Sequence, residues 1–296
     1  MNVADQDRYD AMTLRETETS PAFGACRPDA SLSRKIEWAR RSSFHRGLYL
    51  LSSLMRKSAL RTIAGSSVDY EFRGMNARFR PNGNTAEKRA LLNPSRFDRT
   101  ELAFIETRLP EGGVFLDIGA NVGLYSLVAA RAAGPRGRVL AFEPNPPVMD
   151  RLAFNVTCNP PDEAGLATIE LIGKAVTADN GPVTFAPPAG NLGEGRVLDD
   201  GERQDGSFTV EGVRLEDCLK EYGITRTDVM KIDIEGHELQ ALEPFLKEAP
   251  AALHPMFVIV ERGSDTHWQP LAALFREAGY EPHLSCHMNE IWRKIQ

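Results

Sequence analysis

Over the first 30 positions charges mix with Thr, Ser and Pro, and apolar residues follow no sustained period. A flexible leader is expected there, over residues 1–30. Across 31–61 the pattern changes: Ile36, Trp38, Phe44, Leu48, Leu50, Leu51, Leu54 and Met55 recur at spacings that fit one or two amphipathic helices. A helical extension over 31–66 follows from this. The next pattern has a period of two. Val68-Asp69-Tyr70-Glu71-Phe72-Arg73 and Ala77-Arg78-Phe79-Arg80 stand on either side of Gly74, which predicts a hairpin. Leu102, Ile105 and Leu109 then give one apolar face to a helix over 98–108, stopped by Pro110. Hairpin and helix form a lead-in over 67–110.

Beyond residue 110 short β-type runs at 114–118, 138–143, 168–172, 229–234 and 256–261 alternate with helical patterns at 124–133, 147–155 and 238–246. Helical crossovers join parallel strands, so 111–296 is expected to be an α/β domain: a mainly parallel central sheet with helices on both faces. The runs 280–285 and 290–295, joined around His287 and Asn289, predict an antiparallel pair at the C-terminal edge.

Charge changes this picture in one place. The chain carries a formal charge of −6, which argues against a nucleic-acid partner held by general phosphate neutralisation. Within 31–61, however, Arg34, Lys35, Arg40, Arg41, Arg46, Arg56, Lys57 and Arg61 face a single acid, Glu37. The simpler reading is a helix with its apolar side on the core and its cations in water. The other is peripheral contact of 31–61 with an anionic membrane surface. No apolar run approaches the roughly 20 residues of a membrane span, and Met1 to Asp10 lacks the basic and apolar start of a signal peptide. The expected location is cytoplasmic, or peripheral to the inner face of a membrane. Cys26, Cys158, Cys218 and Cys286 have neither zinc-site nor redox-motif spacing and read as reduced structural residues. No metal is expected.

The candidate chemistry begins at Asp117-Ile118-Gly119-Ala120-Asn121-Val122-Gly123, between a strand and a helix. Such a turn brings bare backbone N–H groups and a positive helix end against a ligand. A dinucleotide fingerprint needs glycine where Asn121 stands, because the backbone must approach a pyrophosphate closely. S-adenosylmethionine fits better: Asp117 can face its ammonium directly or through water, while Gly119 and Gly123 let the chain pass beside its methionine portion. Glu143, ending the second strand, can accept hydrogen bonds from both ribose hydroxyls. The cofactor segment also takes in Ala120, Tyr125, Pro144 and Asn145, and Lys174-Ala175 is expected along the adenine edge. Two other readings remain: a nicotinamide-dependent oxidoreductase, and a membrane-associated cofactor binder without turnover.

The segments FLDIGANVGLYS, VLAFEPNP and MKIDIEGHE, in this order, resemble the FkbM family of S-adenosylmethionine-dependent methyltransferases. The resemblance spans roughly residues 76–291. It implies a Rossmann-like class I methyltransferase fold and methyl transfer, commonly to an oxygen of a sugar, glycolipid or other secondary metabolite. The acceptor is therefore expected to be a small molecule, saccharide or glycolipid.

The catalytic candidates lie in Lys231-Ile232-Asp233-Ile234-Glu235-Gly236-His237-Glu238. Read as a strand, this places Lys231, Asp233 and Glu235 on one side, at the carboxyl end where such sheets form their ligand crevice. Asp233 or Glu235 is expected to take the acceptor's proton, with His237 as the second candidate and Lys231 tuning its neighbours. Glu235 and Glu238 read equally well as caps of the following helix. The glycine-rich segment 190–195 is either an acceptor-side loop or an ordinary turn.

Overall fold

The structure, a computed structural model, describes residues 20–41, 49–187, 195–199 and 201–295. Two helices, α1 (Ala30–Arg41) and α2 (Tyr49–Ile63), precede the hairpin β1 (Val68–Phe72) and β2 (Met75–Phe79). Helices α3 (Thr85–Leu92) and α4 (Arg99–Arg108) lead into the domain. Its first half is β3 (Val114–Ile118), α5 (Leu124–Ala133), β4 (Arg138–Phe142), α6 (Pro146–Thr157), α7 (Pro161–Ala164) and β5 (Thr168–Ile172). Four short strands follow: β6 (Ala175–Val176), β7 (Gly181–Ala186), β8 (Arg196–Val197) and β9 (Phe208–Val213). The second half is α8 (Leu215–Glu221), β10 (Val229–Ile232), α9 (Glu238–Glu248), β11 (Phe257–Glu261), α10 (Asp265–Glu277), β12 (Tyr280–Ser285) and β13 (Asn289–Lys294).

The main sheet runs β12-β13-β11-β10-β3-β4-β5. β10 pairs in parallel with both β3 and β11, and β3, β4 and β5 are parallel in turn, while β13 runs antiparallel to β11 and to β12. This is the expected α/β architecture with its antiparallel C-terminal edge. Alternation along each strand divides the core into two layers. Phe115, Val139, Val229, Ile259 and Ile291 pack on the side of α4 and α5. Leu116, Leu140, Met230, Val258 and Trp292 pack on the opposite side, with α8, α9 and α10. Central strands covered on both faces need nearly continuous apolar residues; β3 is buried along all five of its residues, so its one acid, Asp117, is buried too.

Several boundaries differ from those the sequence predicts. β4 and β10 stop at Phe142 and Ile232, short of the acids beyond them. After β10 the chain turns at once, with Glu235 at φ +55° and Gly236 at φ +99°. Helix α3 has only eight residues and no clear apolar period. It is set by its N-cap, where Asn84 Oδ1 accepts the Glu87 N–H at 3.1 Å.

The leader is not free from Pro21 onward. The buried guanidinium of Arg78 donates to the carbonyls of Pro21 and Ala22 at 2.8 and 3.0 Å and to Asp69 Oδ1 at 2.6 Å. Asp69 Oδ2 also accepts the N–H groups of Gly24 and Cys26, at 2.7 and 3.0 Å. Burial pushes the Asp69 carboxyl up, but Arg78 and these N–H groups hold it below the usual carboxylate range. Residues 1–19 lie outside the described residues. So do Phe44, Arg46 and Leu48 of the extension. On α1 and α2 the core side consists of Leu32, Ile36, Ala39, Ala59 and Ile63. Trp38, Leu51 and Leu54, read from the sequence as apolar-face residues, instead face solvent. Among the described residues no helix is long and apolar enough to cross a membrane.

The Arg78–Asp69 pair gives a stability prediction. Asp69→Ala strands a buried guanidinium and should cost about 3–5 kcal/mol, read as a lower urea midpoint; an unchanged midpoint would mean that water replaces the carboxylate.

Candidate functional site

The order of the sheet reverses between β3 and β10, and an open α/β sheet forms its ligand crevice outside the strand ends at such a point. A cleft lies there, lined from both halves of the sheet. Register fixes what stands at its floor. Lys231 is the direct partner of Asp117 across the parallel pair, and Asp117 is in turn level with Ala141 on β4. Partners in register share a face, so cation and acid lie on the same side of the sheet, and the acid's charge acts on the ammonium.

Lys231 is buried and donates from Nζ to the Gly119 carbonyl at 2.8 Å, while Asp233 Oδ2 lies 3.3 Å from the same nitrogen. The ring of Tyr125 stands 5.6 Å away. Burial alone would lower the ammonium's pKa; the carboxylates of Asp233, Asp117 and Glu143 reverse this and raise it. Lys231, Asp233, Tyr125 and His237 all line the cleft. The Tyr125 hydroxyl donates to Asp98 Oδ2 at 3.1 Å. Burial, then the charges of Asp98 and Glu101, push the phenol well above its ordinary range.

Glu143 is 7% exposed and lines the cleft beside Pro144. Its Oε2 accepts the Asn121 N–H at 3.0 Å and its Oε1 the Asn145 N–H at 2.9 Å. Burial pushes this carboxyl up to about 7, although both N–H groups and Lys231 pull the other way. Gly119, Ala120 and Asn121 form the cleft wall facing it. Asn121 adopts a left-handed φ of +51°, which Asn tolerates better than most residues. Its side-chain oxygen accepts from Asn84 Nδ2 at 2.8 Å, tying the loop to the start of α3. On the far side Lys174 and Ala175 line the cleft, and Lys174 is 3.1 Å from Glu211 and 3.8 Å from Glu221.

Four residues expected at the site do not line the cleft. Asp117 is fully buried behind the loop, so it does not face a ligand directly. Its Oδ2 accepts from Ser126 Oγ at 2.5 Å, and its Oδ1 has no hydrogen-bond partner among the described residues. Burial pushes the carboxyl up, against the pull of Lys231. Gly123 caps α5 at φ +83°, and a Cβ there would meet Leu152 Cδ1 at 2.3 Å. It serves packing against α6 rather than passage of a ligand. Asn145 is buried at the start of α6, where its N–H anchors Glu143. Glu235 does not share a face with Lys231 and Asp233, because the strand has ended and the chain has turned. It lines a second pocket with Glu261, Ser264 and His267. Glu238, in the first turn of α9, braces the turn before the helix: its Oε1 accepts the Ile234 N–H at 2.9 Å and the Gly236 N–H at 3.3 Å.

The structure adds residues that no motif marks. Ala86 from α3, Phe97 and Asp98 close one side, and Phe185, Arg196 and Val197 from the small sheet close another. The small sheet runs β6-β9-β7-β8. Asp98, which the sequence places only as the first residue of a helix over 98–108, accepts from the Tyr125 hydroxyl and pairs with Arg89 at 2.8 Å. Residues 190–194 of the glycine-rich segment lie outside the described residues; Gly195 lines the cleft.

The strand order, with helices packed on both faces of the sheet, defines a Rossmann-like α/β domain. A model of the methyltransferase FkbM domain matches residues 117–282, more than half of the chain, and the chain belongs to this family. Its methyl donor is S-adenosyl-L-methionine, which decides against a nicotinamide cofactor. The chain is 29% identical over 170 residues to the hexuronic acid methyltransferase AglP of Haloferax volcanii, covering 57% of this chain and 63% of that enzyme, less than two thirds of its length. It is 29% identical over 209 residues to the methyltransferase sdnD of Sordaria araneosa, covering 62% and 79%. A solved S-adenosylmethionine-dependent methyltransferase from Agrobacterium tumefaciens superposes with a TM-score of 0.42 at 13% identity, covering 78% of this chain and 70% of that one.

The backbone crossing at Gly119 is directly testable. At φ +77° a Cβ there would lie 2.0 Å from the Asp233 carbonyl oxygen, so Gly119→Ala must part β3 from β10. We predict a loss of more than about 3 kcal/mol in chemical denaturation, whereas an unperturbed melt would show that the strand ends yield freely.

Proposed function

We propose that the cleft binds S-adenosyl-L-methionine with its ribose on Glu143, and that the methyl group passes to a hydroxyl of a sugar, glycolipid or secondary metabolite. The observation that supports this reading most is the setting of Glu143. An ionised carboxylate has about four acceptor positions, and backbone N–H groups occupy one on each oxygen. The remaining positions match a pair of adjacent ribose hydroxyls. The loop residues Gly119 to Asn121 would back the methionine portion, and Lys174 with Ala175 the adenine. The unpartnered Asp117 Oδ1 lies close behind the loop and reaches a bound ammonium only through a bridging water.

When bound, the cofactor supplies an electrophilic methyl carbon on a sulfonium. The chain must then orient the acceptor oxygen and remove its proton. Asp233 is the carboxylate that lines the cleft beside Lys231, and in this reading it takes that proton. Lys231 holds Asp233 in place from behind. His237, also in the cleft, is the second candidate. A saccharide hydroxyl as acceptor is supported by the hexuronic acid enzyme among the relatives, and by the polar rim of Asp98, Arg196 and His237.

Two experiments test the assignment. Ribose hydroxyls favour the ionised form of Glu143, whose carboxyl is pushed up to about 7 in the free protein. Binding must therefore displace a proton at low pH, and the affinity for S-adenosyl-L-methionine should be about tenfold weaker at pH 6 than at pH 8. In calorimetry Glu143→Gln should bind weakly with no such slope, and a wild-type slope in that variant would remove Glu143 from the cofactor. With methyl-labelled cofactor and saccharide or glycolipid extracts, Asp233→Asn should lose roughly 10²-fold or more of transfer while still binding cofactor. Full transfer by that variant would pass the proton to another group.

A further inference from the structure

We propose that α1 and α2 form a docking surface for the anionic face of a lipid bilayer. The two helices pack side by side, with Lys35 Nζ donating to Thr62 Oγ1 at 2.8 Å. Leu32, Ile36 and Ala39 turn inward from α1, and Ala59 and Ile63 from α2. What faces outward is unusual in two respects. Trp38, Leu51 and Leu54 are 50%, 36% and 60% exposed, half of the six large apolar residues exposed among the described residues. Leu51 and Leu54 share one exposed stripe with Lys57 and Arg61, at spacings of three and four, and Trp38 shares another with Arg34 and Arg41.

Glu37 is the one acid on these two helices, in a chain whose formal charge is −6. This face is thus opposite in sign to the molecule as a whole, and its cations alternate with side chains that gain by leaving water. A helix that lies in a bilayer interface has this composition: cations for the headgroups, Trp and Leu for the acyl boundary. Nucleic acid would use the cations but not the leucines, and the overall charge opposes it. A protein partner would need acids placed against this stripe, whereas a bilayer supplies a continuous anionic plane. The position also suits the cleft. Arg40, on α1, donates to the Leu91 carbonyl of α3 at 2.7 Å, and α3 carries Ala86 into the cleft wall. A surface held by α1 and α2 therefore lies next to the helix that lines the site.

The test uses the full chain and sedimentation with phosphatidylcholine vesicles, with and without phosphatidylserine. The wild type should be retained by the anionic vesicles and released by salt. Leu51→Ser with Leu54→Ser, and separately Lys57→Glu with Arg61→Glu, should each lower retention by at least about tenfold. Their melting temperatures and affinities for S-adenosyl-L-methionine should stay at wild-type values, which separates lost docking from lost folding. Equal retention by neutral vesicles, retention unchanged in both double variants, or no retention at all would overturn the proposal. So would preferential binding of duplex DNA, or a dimer in light scattering that Leu51→Ser with Leu54→Ser dissolves.

Discussion

The site depends on how closely the ends of β3 and β10 approach each other. Gly119 leaves no room for a Cβ beneath the Asp233 carbonyl, and Lys231 Nζ closes the same junction by donating to the Gly119 carbonyl. A buried ammonium is costly unless charges and acceptors surround it. Here one carbonyl and the carboxylates of Asp233 and Asp117 do so. With the junction locked, the glycine loop is held in one shape, and its Asn121 N–H lies where Glu143 can accept it. Floor and wall of the cleft are thus a single hydrogen-bonded unit.

Within that unit similar residues serve different ends because their surroundings differ. Asp117, closed off from solvent, ties Ser126 of α5 to the sheet and balances Lys231. Asp233, one pleat beyond Lys231, has its side chain partly exposed in the cleft. Glu143 lies between these extremes: almost out of water, yet in contact with the cavity. Desolvation of such a carboxylate raises its pKa, and a ligand that donates to the charged form recovers that cost. The three acids read alike in the sequence, each at or just past a strand end, and become distinct only through access to water.

The cleft is completed by elements outside the central sheet. α3, the Phe97–Asp98 segment and the small sheet bring Ala86, Asp98, Phe185 and Arg196 to its rim. Their attachment runs through specific polar contacts: Asn84 on Asn121, and Asp98 on Tyr125. The N-terminal helices reach the same region through Arg40 on Leu91.

What the sequence determined by itself is what depends on local periodicity and on a short motif. β3, α5 and β5 are legible to the residue, because their mainly apolar runs are bounded by turn residues. The glycine loop and Glu143 were readable from the resemblance and the strand-turn-helix pattern. The tertiary structure alone decided which residues of these motifs meet. Glu235 falls away from Lys231 and Asp233 because the backbone turns at φ +55° before alternation can carry it across. Gly123 answers to Leu152 of α6, a contact between residues far apart in the chain. The contacts of Asp98, of Arg196 and of the Arg78–Asp69 clamp that pins Pro21 and Ala22 are not encoded in periodicity, even where the residues lie in a periodic run. Asp98 meets Tyr125 across 27 residues and Arg78 reaches Pro21 across 57, separations that only the folded chain brings within hydrogen-bonding reach.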